Sequence, residues 1–427
     1  MQRIVIKGPA HLAGELGIQG SKNTALPVIA ACLLTKDECV IKNCPDISDV
    51  REMIALVTGA GCESRFENNV LTIKASGLNG MFDYGKCRRF RGSSLLMGAM
   101  LGRKDFFVMP YPGGCSIGRR PLNFHFEGFK AMGADIFEEN GLIAGWCQKK
   151  HGACYEFSYP SVGALENLLL MAVRTPGTSE FRNCSMEPEI VDLCDFLCGM
   201  GAVIHGAGTP TIVVKGTAKL CGTEYVIPGD RIVCGTYMAA CAICGGNVCF
   251  KGIMPKRLPA EIEILRKSGA HIFTDEKNNE IIVMADNRPK AVSHIETGPF
   301  PGFPTDMQPQ IMALMAYADG MSLIKDNVFD GRYNTAGELA KMGADAEVTD
   351  SGVLIKGSEM LYGCSLFARD LRNGAALVIA ALGALGTSFV GGCEHIARGY
   401  EDIVCDLSRI GADVTWQEEI EEPKQNE

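Results

Sequence analysis

The chain has 427 residues, of which 47% are hydrophobic and 21% are charged, and its formal net charge is −9. This composition is typical of soluble globular proteins, and the length is sufficient for at least two hydrophobic cores. The acidic balance argues against bulk binding of nucleic acid or of an acidic membrane, since both need basic surface, so an anion site would have to be a local cluster of cations.

A short phrase, glycine followed by a small residue, recurs six times at the end of a predicted helix, at intervals of roughly 70 residues. Glycine ends a helix in the left-handed conformation, and a strand then begins. This regularity predicts six copies of one structural unit. The six glycines are, in chain order, Gly61, Gly133, Gly201, Gly269, Gly343 and Gly411.

A second recurring element is a helix built from small and apolar residues. Because these helices are apolar nearly all round, each is predicted to be buried. In chain order they read NTALPVIAACLL, GSSLLMGAML, SVGALENLLLMAV, CGTYMAACAI, MQPQIMALMAYA and NGAALVIAALGAL. The helices that end in the glycine phrase are amphipathic instead, for example PAEIEILRKSGA, and strand candidates such as NVLTIKA alternate or are β-branched.

The repeat count predicts an α/β fold in two domains of three units each, because six units are too many for one core. The fourth buried helix begins near Asp230, so the first domain is expected to span residues 22–229. Residues 1–21 precede the first buried helix and are expected to complete the sixth unit. The second domain would then comprise residues 1–21 and 230–427.

The starts of the six buried helices carry basic or capping residues. Ordinary capping explains the serine and threonine among them, but a lysine or arginine at a helix N-terminus opposes the helix dipole. The cations therefore predict an anion as their missing partner, at helix ends that would face one cleft between the domains. The starts are Lys22-Asn23, Arg91-Gly-Ser, Ser161-Val-Gly, Asp230-Arg231, Thr305-Asp306 and Asp370-Leu-Arg372.

Two residues carry potential chemistry. Cys115 lies in YPGGCSIGRR, residues 111–120, where glycines and proline argue against helix or central strand, and the arginines that follow would lower the pKa of its thiol. Asp306 in FPTDMQPQ is a carboxylate among cations and is predicted to stay ionised at neutral pH. It could act as a general base toward a sugar hydroxyl, and a simple charge at a helix N-terminus is the alternative.

The N-terminal segment MQRIVIKGPAHLAGELG has no uninterrupted apolar stretch and no small-residue cleavage site, so no signal peptide is predicted. The stretch most like a membrane span, residues 374–393, is glycine-rich and is predicted to be a buried helix followed by a strand. The 19 cysteines, without secretory context, predict reduced thiols in the cytoplasm. Cys241 and Cys244, in CAIC, are predicted to be core residues rather than a zinc or redox site.

Nine motifs follow one another along essentially the whole chain: GSKNTALP, FRGSSLLMGAML, PGGCSIGRRP, PSVGALENLLLMA, EPEIVDL, FPTDMQPQ, VFDGRY, DLRNGAAL and HIARGYE. Together they resemble the UDP-N-acetylglucosamine 1-carboxyvinyltransferase family of enolpyruvyl transferases. The resemblance implies a two-domain inside-out α/β barrel of six βαβαββ-like repeats, three per domain, with the active site in the interdomain cleft.

The resemblance also implies a reaction. The enolpyruvyl group of phosphoenolpyruvate would pass to the 3′-hydroxyl of UDP-N-acetylglucosamine, with release of phosphate, by addition and elimination through a tetrahedral adduct. This is the first committed step of peptidoglycan synthesis, a cytoplasmic step on which cell shape and division depend. No metal or cofactor is implied, because lysine and arginine neutralise the phosphate. No nucleic acid, membrane or obligate protein partner is implied either.

Residue roles follow from the same resemblance. Cys115 matches a general acid that can hold phosphoenolpyruvate covalently and is alkylated by fosfomycin, and Asp306 matches the group that takes the 3′-hydroxyl proton. Phosphoenolpyruvate would contact Lys22, Asn23, Arg120, Arg332, Arg372 and Arg398, of which Lys22 and Arg398 are also catalytic. UDP-N-acetylglucosamine would contact Arg91, Arg120, Pro121, Leu122, Asn123, Phe124, Tyr159, Pro160, Ser161, Val162, Gly163, Asp306 and Val328.

Some positions depart from the family pattern. Asn123 stands where aspartate is usual, Val233-Cys234 where Glu-Thr is usual, and Arg119 where a small residue is usual. One alternative function is 3-phosphoshikimate 1-carboxyvinyltransferase, which shares the fold but lacks the long Pro-Gly-Gly-Cys loop. A second is a weakly active paralogue that binds a UDP-sugar and regulates the pathway, which only the departures support.

Overall fold

The computed structural model describes residues 2–113, 121–329 and 331–418. Cys115, Arg119 and Arg120 lie outside the described residues, as does the acidic C-terminal segment 419–427. The described residues form two units, each with its own hydrophobic core. Unit I comprises residues 20–113 and 121–228, and unit II comprises residues 2–19, 229–329 and 331–418.

Six helices are almost entirely buried, three in each unit. They are α1 (Lys22–Cys32), α4 (Leu96–Lys104) and α6 (Val162–Ala172) in unit I, and α8 (Arg231–Cys244), α10 (Gln308–Tyr317) and α12 (Leu371–Gly383) in unit II. Short 3₁₀ turns, Arg91–Leu95 and Thr305–Met307, lead into α4 and α10. The prediction of six buried helices with these starts is confirmed.

Six amphipathic helices alternate with the buried ones: α2 (Ser48–Gly59), α5 (Asn123–Ala131), α7 (Pro188–Gly199), α9 (Pro259–Lys267), α11 (Asn334–Lys341) and α14 (Ile403–Arg409). Each is followed by a glycine whose φ lies between +93° and +101°. Side chains with a Cβ rarely adopt this conformation, so glycine is needed at the point where the chain turns into a strand. All six predicted glycines, from Gly61 to Gly411, have this role, which confirms the repeat.

The strands form three separate open sheets in each unit, and among the described residues they close no barrel of their own. In unit I the strands are β3 (Glu38–Lys42), β4 (Glu63–Glu67), β5 (Val70–Lys74), β6 (Phe106–Pro110), β7 (Asp135–Glu139), β8 (Leu142–Trp146), β9 (Cys154–Glu156), β10 (Thr178–Arg182), β11 (Val203–His205), β12 (Thr211–Lys215) and β13 (Glu224–Val226). In unit II they are β1 (Gln2–Gly8), β2 (Leu12–Gly17), β14 (Gly246–Lys251), β15 (His271–Asp275), β16 (Glu280–Ala285), β17 (His294–Glu296), β18 (Met321–Lys325), β19 (Asp345–Thr349), β20 (Gly352–Lys356), β21 (Ser365–Phe367), β22 (Gly386–Gly391) and β23 (Asp413–Glu418).

Five sheets have four strands and share one topology, in which a single parallel pair extends an antiparallel group. The orders are β13-β3-β5-β4 and β9-β10-β12-β11 in unit I, and β2-β14-β16-β15, β17-β18-β20-β19 and β21-β22-β1-β23 in unit II. Around α6, α10 and α12, the strand before the helix pairs in parallel with the strand after it. This is the compact βαβ unit expected of parallel strands.

The first and fourth repeats exchange their parallel strands. Strand β2 precedes α1 but pairs with β14, which follows α8, while β13 precedes α8 but pairs with β3, which follows α1. The expectation that residues 1–21 complete the sixth repeat therefore holds for β1, which pairs with β22 and β23, and is wrong for β2. The exchange occurs where the chain passes between the units.

The second repeat also departs from the common topology. Its sheet has three described strands, β6-β8-β7, and a short helix, α3 (Tyr84–Arg89), stands where the other repeats place a strand. Gly113, three residues beyond β6, lies so close to this helix that an added Cβ would be 1.5 Å from the Arg88 carbonyl oxygen. Glycine is therefore required at this close approach to helix α3, at the last described residue before Cys115.

Residues 374–393 form most of α12 and all of β22, which confirms the predicted buried helix followed by a strand. Across the described parts of the chain, every helix falls short of the length and apolarity needed to cross a membrane. Cys241 is fully buried in the core of unit II, and Cys244 packs against that core, so their prediction as core residues is confirmed.

Candidate active site

A carboxylate is held between two arginines at the start of α10. Asp306 lies in the 3₁₀ turn before this helix, and its Oδ1 accepts a hydrogen bond from Arg332 Nη1 at 3.0 Å. Its Oδ2 accepts from Arg372 at 2.9 Å (Nη2) and 3.2 Å (Nε). The structure thus brings three of the predicted site residues together within unit II.

The Asp306 carboxylate is more exposed than the two arginines that bind it. The Asp306 side chain is 26% exposed, whereas Arg332 and Arg372 are 4% and 3% exposed. Burial alone would raise the pKa of Asp306, but Arg372 and Arg332 outweigh burial and hold it well below its ordinary value. Asp306 is therefore a carboxylate at neutral pH, as predicted.

Both arginines have further capacity to bind an acceptor. Among the residues that the structure describes, Arg332 Nε and Arg372 Nη1 are buried and lack a hydrogen-bond partner, as do both amide atoms of Gln308 at the start of α10. A buried N–H group without an acceptor is costly. Planar guanidinium groups match the geometry of a carboxylate, so the arrangement is suited to an anionic ligand that bears one.

The start of α1 carries a second buried ion pair, in unit I. Lys22 Nζ lies 2.6 Å from Asp49 Oδ2, in the first turn of α2, and both side chains are largely buried. Ser21 caps the helix by accepting from Thr24 N at 3.3 Å, and Thr24 Oγ1 donates to Asp192 Oδ2 of α7 at 2.7 Å. Carboxylates from two neighbouring helices therefore bind the first turn of α1, Asp49 at Lys22 and Asp192 at Thr24.

The prediction that the cations at helix starts lack a protein partner is wrong for three of them. Lys22 and Arg372 contact carboxylates, as described above, and Arg231 Nη1 lies 3.6 Å from Glu261 Oε1. Each carboxylate comes from another helix or turn, so local sequence could not show the pair. An anionic ligand at these positions would compete with protein carboxylates for the cations.

The predicted caps at two helix starts are also wrong. Ser161 occupies the capping position of α6, but its side chain makes no capping hydrogen bond. Thr305 Oγ1 donates instead to Asp326 Oδ2 at 2.7 Å. The side chains that do cap buried helices in unit II are Asp230 and Asp370, each of which accepts two backbone N–H groups.

A neutral histidine lies beside the start of α6. His125 Nδ1 is 3.0 Å from Asn167 Nδ2, and the orientation of Asn167 is set because its Oδ1 accepts from Gly98 N at 2.7 Å. His125 Nδ1 is therefore the acceptor, and Nε2 carries the proton. Burial and then the charge of Arg91 lower the pKa of His125 to about 3, which keeps the ring neutral.

The remaining predicted site residues differ in exposure. Cys115 and Arg120 lie outside the described residues. Leu122 is buried, and Pro121, Asn123 and Tyr159 are exposed. Partly buried are Asn23, Arg91, Phe124, Pro160, Ser161, Val162, Gly163, Val328 and Arg398, the last of which follows α13 (Cys393–Ile396).

Two of the departures from the family pattern lie in the core. Val233 and Cys234 are fully buried in α8, where burial, with a smaller contribution from Glu261, raises the pKa of the Cys234 thiol. This thiol is therefore unreactive. Asn123, in contrast, is the exposed first residue of α5.

The sequence did not indicate three carboxylates that contact predicted site residues or their neighbours: Asp49, Glu261 and Asp326. Asp49 and Glu261 share one signal, because each lies in the first turn of the amphipathic helix that follows a buried helix starting with a cation. An alignment of the six repeats would have indicated both pairs, Lys22–Asp49 and Arg231–Glu261. Asp326 has no such signal, since its partners come from three separate segments. Within the described ranges, no group of three or more histidine, cysteine or acidic residues could hold a metal ion.

Solved structures of other proteins share the fold. The enolpyruvyl transferase NikO from Streptomyces tendae matches with a TM-score of 0.86 at 24% identity, over 97% of this chain and 98% of that chain. An EPSP synthase from Acinetobacter baumannii matches with a TM-score of 0.75 at 20% identity, over 98% and 100% of the two chains. The predicted α/β fold of the enolpyruvyl transferase type is confirmed.

Sequence relatives are closer. The UDP-N-acetylglucosamine 1-carboxyvinyltransferase 2 of Caldanaerobacter subterraneus subsp. tengcongensis is 41% identical over 97% of this chain and 99% of its own. The UDP-N-acetylglucosamine 1-carboxyvinyltransferase of Thermotoga maritima is 41% identical over 98% and 99%. The sequence model of the family described as EPSP synthase (3-phosphoshikimate 1-carboxyvinyltransferase) matches residues 6–407. This chain therefore belongs to the EPSP synthase family of enolpyruvyl transferases and, within it, to the UDP-N-acetylglucosamine 1-carboxyvinyltransferases.

Proposed function

We propose that this protein transfers the enolpyruvyl group of phosphoenolpyruvate to the 3′-hydroxyl of UDP-N-acetylglucosamine and releases phosphate. The observation that carries the proposal is the carboxylate of Asp306 between two buried arginines. The chain that holds it is about 40% identical, over nearly its whole length, to proteins named UDP-N-acetylglucosamine 1-carboxyvinyltransferase. The reaction is the first committed step of peptidoglycan synthesis, and a cytoplasmic location follows from its substrates.

The carboxylate of phosphoenolpyruvate is assigned to Arg332 and Arg372. Their buried nitrogens without a partner, Nε and Nη1, offer donors in addition to those bound to Asp306. A ligand carboxylate that draws on these groups weakens their hold on Asp306, so the pKa of Asp306 rises toward its ordinary range and its basicity increases. Substrate binding thus activates the base.

The chemistry runs in two steps. In the addition, the 3′-oxygen bonds to C2 of the enolpyruvyl group, its proton passes to Asp306, and Cys115 delivers a proton to C3. In the elimination, a proton leaves C3 for the Cys115 thiolate, the bond between C2 and the phosphate oxygen breaks with its electron pair left on phosphate, and the double bond forms again. Lys22, Arg120 and Arg398 neutralise the phosphate, and Asn23 orients the reacting groups, so no metal ion is needed for this charge.

The nucleotide sugar is assigned to Arg91, Arg120–Phe124, Tyr159–Gly163 and the backbone near Val328. The N-terminus of α6 supplies backbone N–H groups suited to a diphosphate. The N–H of Val328 already donates to Asp326 at 2.9 Å, so the carbonyl of Val328 is the backbone group that would meet a hydroxyl of the sugar.

Phosphate release tests the proposal. The protein is mixed with phosphoenolpyruvate and either UDP-N-acetylglucosamine or shikimate 3-phosphate, with Cys115→Ala as the inactive control. Phosphate release in the mixture with UDP-N-acetylglucosamine, and none in the mixture with shikimate 3-phosphate, supports the proposal. Release with shikimate 3-phosphate alone would support the other enolpyruvyl transferase activity, and calorimetric binding of the UDP-sugar without release would support a regulatory paralogue.

A further inference from the structure

One buried carboxylate outside the assigned site holds a loop together. Asp326 directly follows β18, and its Oδ1 accepts hydrogen bonds from Val328 N at 2.9 Å and Phe329 N at 3.2 Å. The same oxygen accepts from Thr297 Oγ1 at 2.7 Å. Thr297 directly follows β17, the parallel neighbour of β18, so the two residues meet at the carboxyl ends of adjacent strands.

Thr297 holds the same loop from the other side. Its Oγ1 accepts from Asn327 N at 3.0 Å, and its carbonyl oxygen accepts from Asn327 Nδ2 at 3.2 Å. Asp326 N donates to Tyr333 Oη at 3.1 Å. The backbone on both sides of Val328 is therefore fixed by hydrogen bonds that converge on Asp326 and Thr297.

The second oxygen of Asp326 faces the base. Asp326 Oδ2 accepts from Thr305 Oγ1 at 2.7 Å, and that hydroxyl oxygen accepts from Arg332 Nη1 at 2.9 Å. Arg332 Nη1 also donates to the Thr305 carbonyl at 2.9 Å and to Asp306 Oδ1 at 3.0 Å. A continuous chain of hydrogen bonds thus joins Asp326 to the base through Thr305 and Arg332.

We propose that Asp326 is a positioning residue that fixes both the sugar-binding loop, residues 327–329, and the general base. Its Oδ1 holds the loop, and its Oδ2 holds the base through Thr305. The inference rests on the proposed function, which assigns the base to Asp306 and the sugar contact to Val328. The division between the two oxygens is what makes it testable. Cutting the bond to Thr297 loosens the loop, and cutting the bond to Thr305 loosens the base.

Three nearly isosteric variants separate the two duties. Thr305→Val should lower kcat about tenfold and leave KM for UDP-N-acetylglucosamine within about twofold, because it disturbs the base and its arginine. Thr297→Val should raise that KM about tenfold and leave kcat within about twofold. Asp326→Asn should do both. A purely structural role would lower the active fraction of each variant in the same way, without this split.

Asp275→Asn is the matched control. Asp275 also accepts backbone hydrogen bonds in unit II, from Lys277 N at 2.9 Å and Asn278 N at 3.0 Å, but it serves an exposed turn. Both kinetic constants should stay at their wild-type values. Steady-state kinetics at equal folded concentration, checked by thermal melting, supplies the comparison, and an Asp326→Asn enzyme with both constants within twofold of wild type would overturn the proposal.

Amide hydrogen exchange supplies a readout that needs no turnover. Asp326→Asn should speed exchange at the amides of Val328 and Phe329, because their acceptor changes from a charged carboxylate oxygen to a weaker amide oxygen. Thr297→Val should speed exchange at the amide of Asn327, which loses its acceptor, while Thr305→Val should leave all three amides unchanged. Unchanged exchange in all three variants overturns the positioning role. A wild-type protein that releases no phosphate overturns the proposed function instead, and the exchange rates still decide whether Asp326 holds the loop.

Discussion

Arg372 donates two hydrogen bonds to a single oxygen of Asp306, from Nη2 at 2.9 Å and Nε at 3.2 Å, and leaves the other oxygen to Arg332. Each arginine therefore holds one oxygen of the carboxylate. This arrangement keeps Asp306 charged but makes it a weak base, since its pKa is held low. In the proposed mechanism, Asp306 becomes an effective base when the substrate carboxylate competes for the two arginines.

Asp306→Asn is expected to lower kcat by about 10² or more, the range for loss of a general base, while KM for both substrates changes little. The amide keeps the shape and one acceptor oxygen but cannot take a proton at neutral pH. Steady-state phosphate release measures the effect. Asp319→Asn, an exposed acid in the same unit, is the control and should behave as wild type, and normal turnover by Asp306→Asn would refute the assignment of the base.

Asp49→Asn should destabilise the protein by about 3 kcal/mol, because Lys22 is largely buried and loses the carboxylate that its ammonium contacts at 2.6 Å. If Lys22 binds the phosphate of a substrate, inorganic phosphate should restore part of this loss and stabilise the variant more than wild type. Urea unfolding with and without phosphate gives both quantities.

An exposed pair provides the control for this measurement. Lys251 Nζ and Glu15 Oε2 are also 2.6 Å apart, but their side chains are 44% and 65% exposed. Glu15→Gln should therefore cost much less stability than Asp49→Asn and should not respond to phosphate. An Asp49→Asn protein as stable as wild type would show that the pair at the head of α1 contributes nothing to folding.

His125 should make the protein less stable as the pH falls below neutrality. Its pKa is about 3 in the folded protein and about 6.5 in an unfolded chain, so the unfolded state binds more protons between these values. Stability is then lost as the pH drops through this window, by about 1.4 kcal/mol per unit. Between pH 6.5 and pH 4, His125→Gln should show a flatter stability curve than wild type.

Chemical unfolding of both proteins at several pH values tests this expectation. His271→Gln, a substitution at an exposed position of β15, should leave the pH dependence unchanged. If the curves of wild type and His125→Gln coincide, the buried ring is not the group that couples folding to pH.

The repeat made much of the fold predictable. Gly61 and its five counterparts ended their helices as expected, because a left-handed glycine is a local requirement that six copies repeat. The apolar helices were predictable for the same reason. Helix α3 was not predicted. It stands where the other repeats place a strand, and its segment DYGKCRRF lacks the β-branched alternation of those strands, so the sequence pattern indicated no element there.

The site was less predictable than the fold, because its geometry depends on residues far apart in the chain. Sequence placed Lys22 and Arg231 at helix starts but could not show that Asp49 and Glu261 reach back to them from the following helices. Thr305 looked like a cap, yet its hydroxyl bonds to Asp326 because that carboxylate is buried at the end of the neighbouring strand. Local rules give way to a stronger charged acceptor brought close by tertiary structure.

Cys115 should be the thiol that fosfomycin labels. Cys115→Ala should abolish covalent labelling, measured by intact-protein mass spectrometry, whereas Cys241→Ala should leave it complete. The second thiol is the matched control, because it is fully buried and burial raises its pKa to about 12, so it is almost never a thiolate at neutral pH. For Cys115, the sequence predicts the opposite, because glycines precede it and two arginines follow it. Labelling that survives Cys115→Ala would show that another of the 19 cysteines is the reactive one and would remove the proton donor from the proposed mechanism.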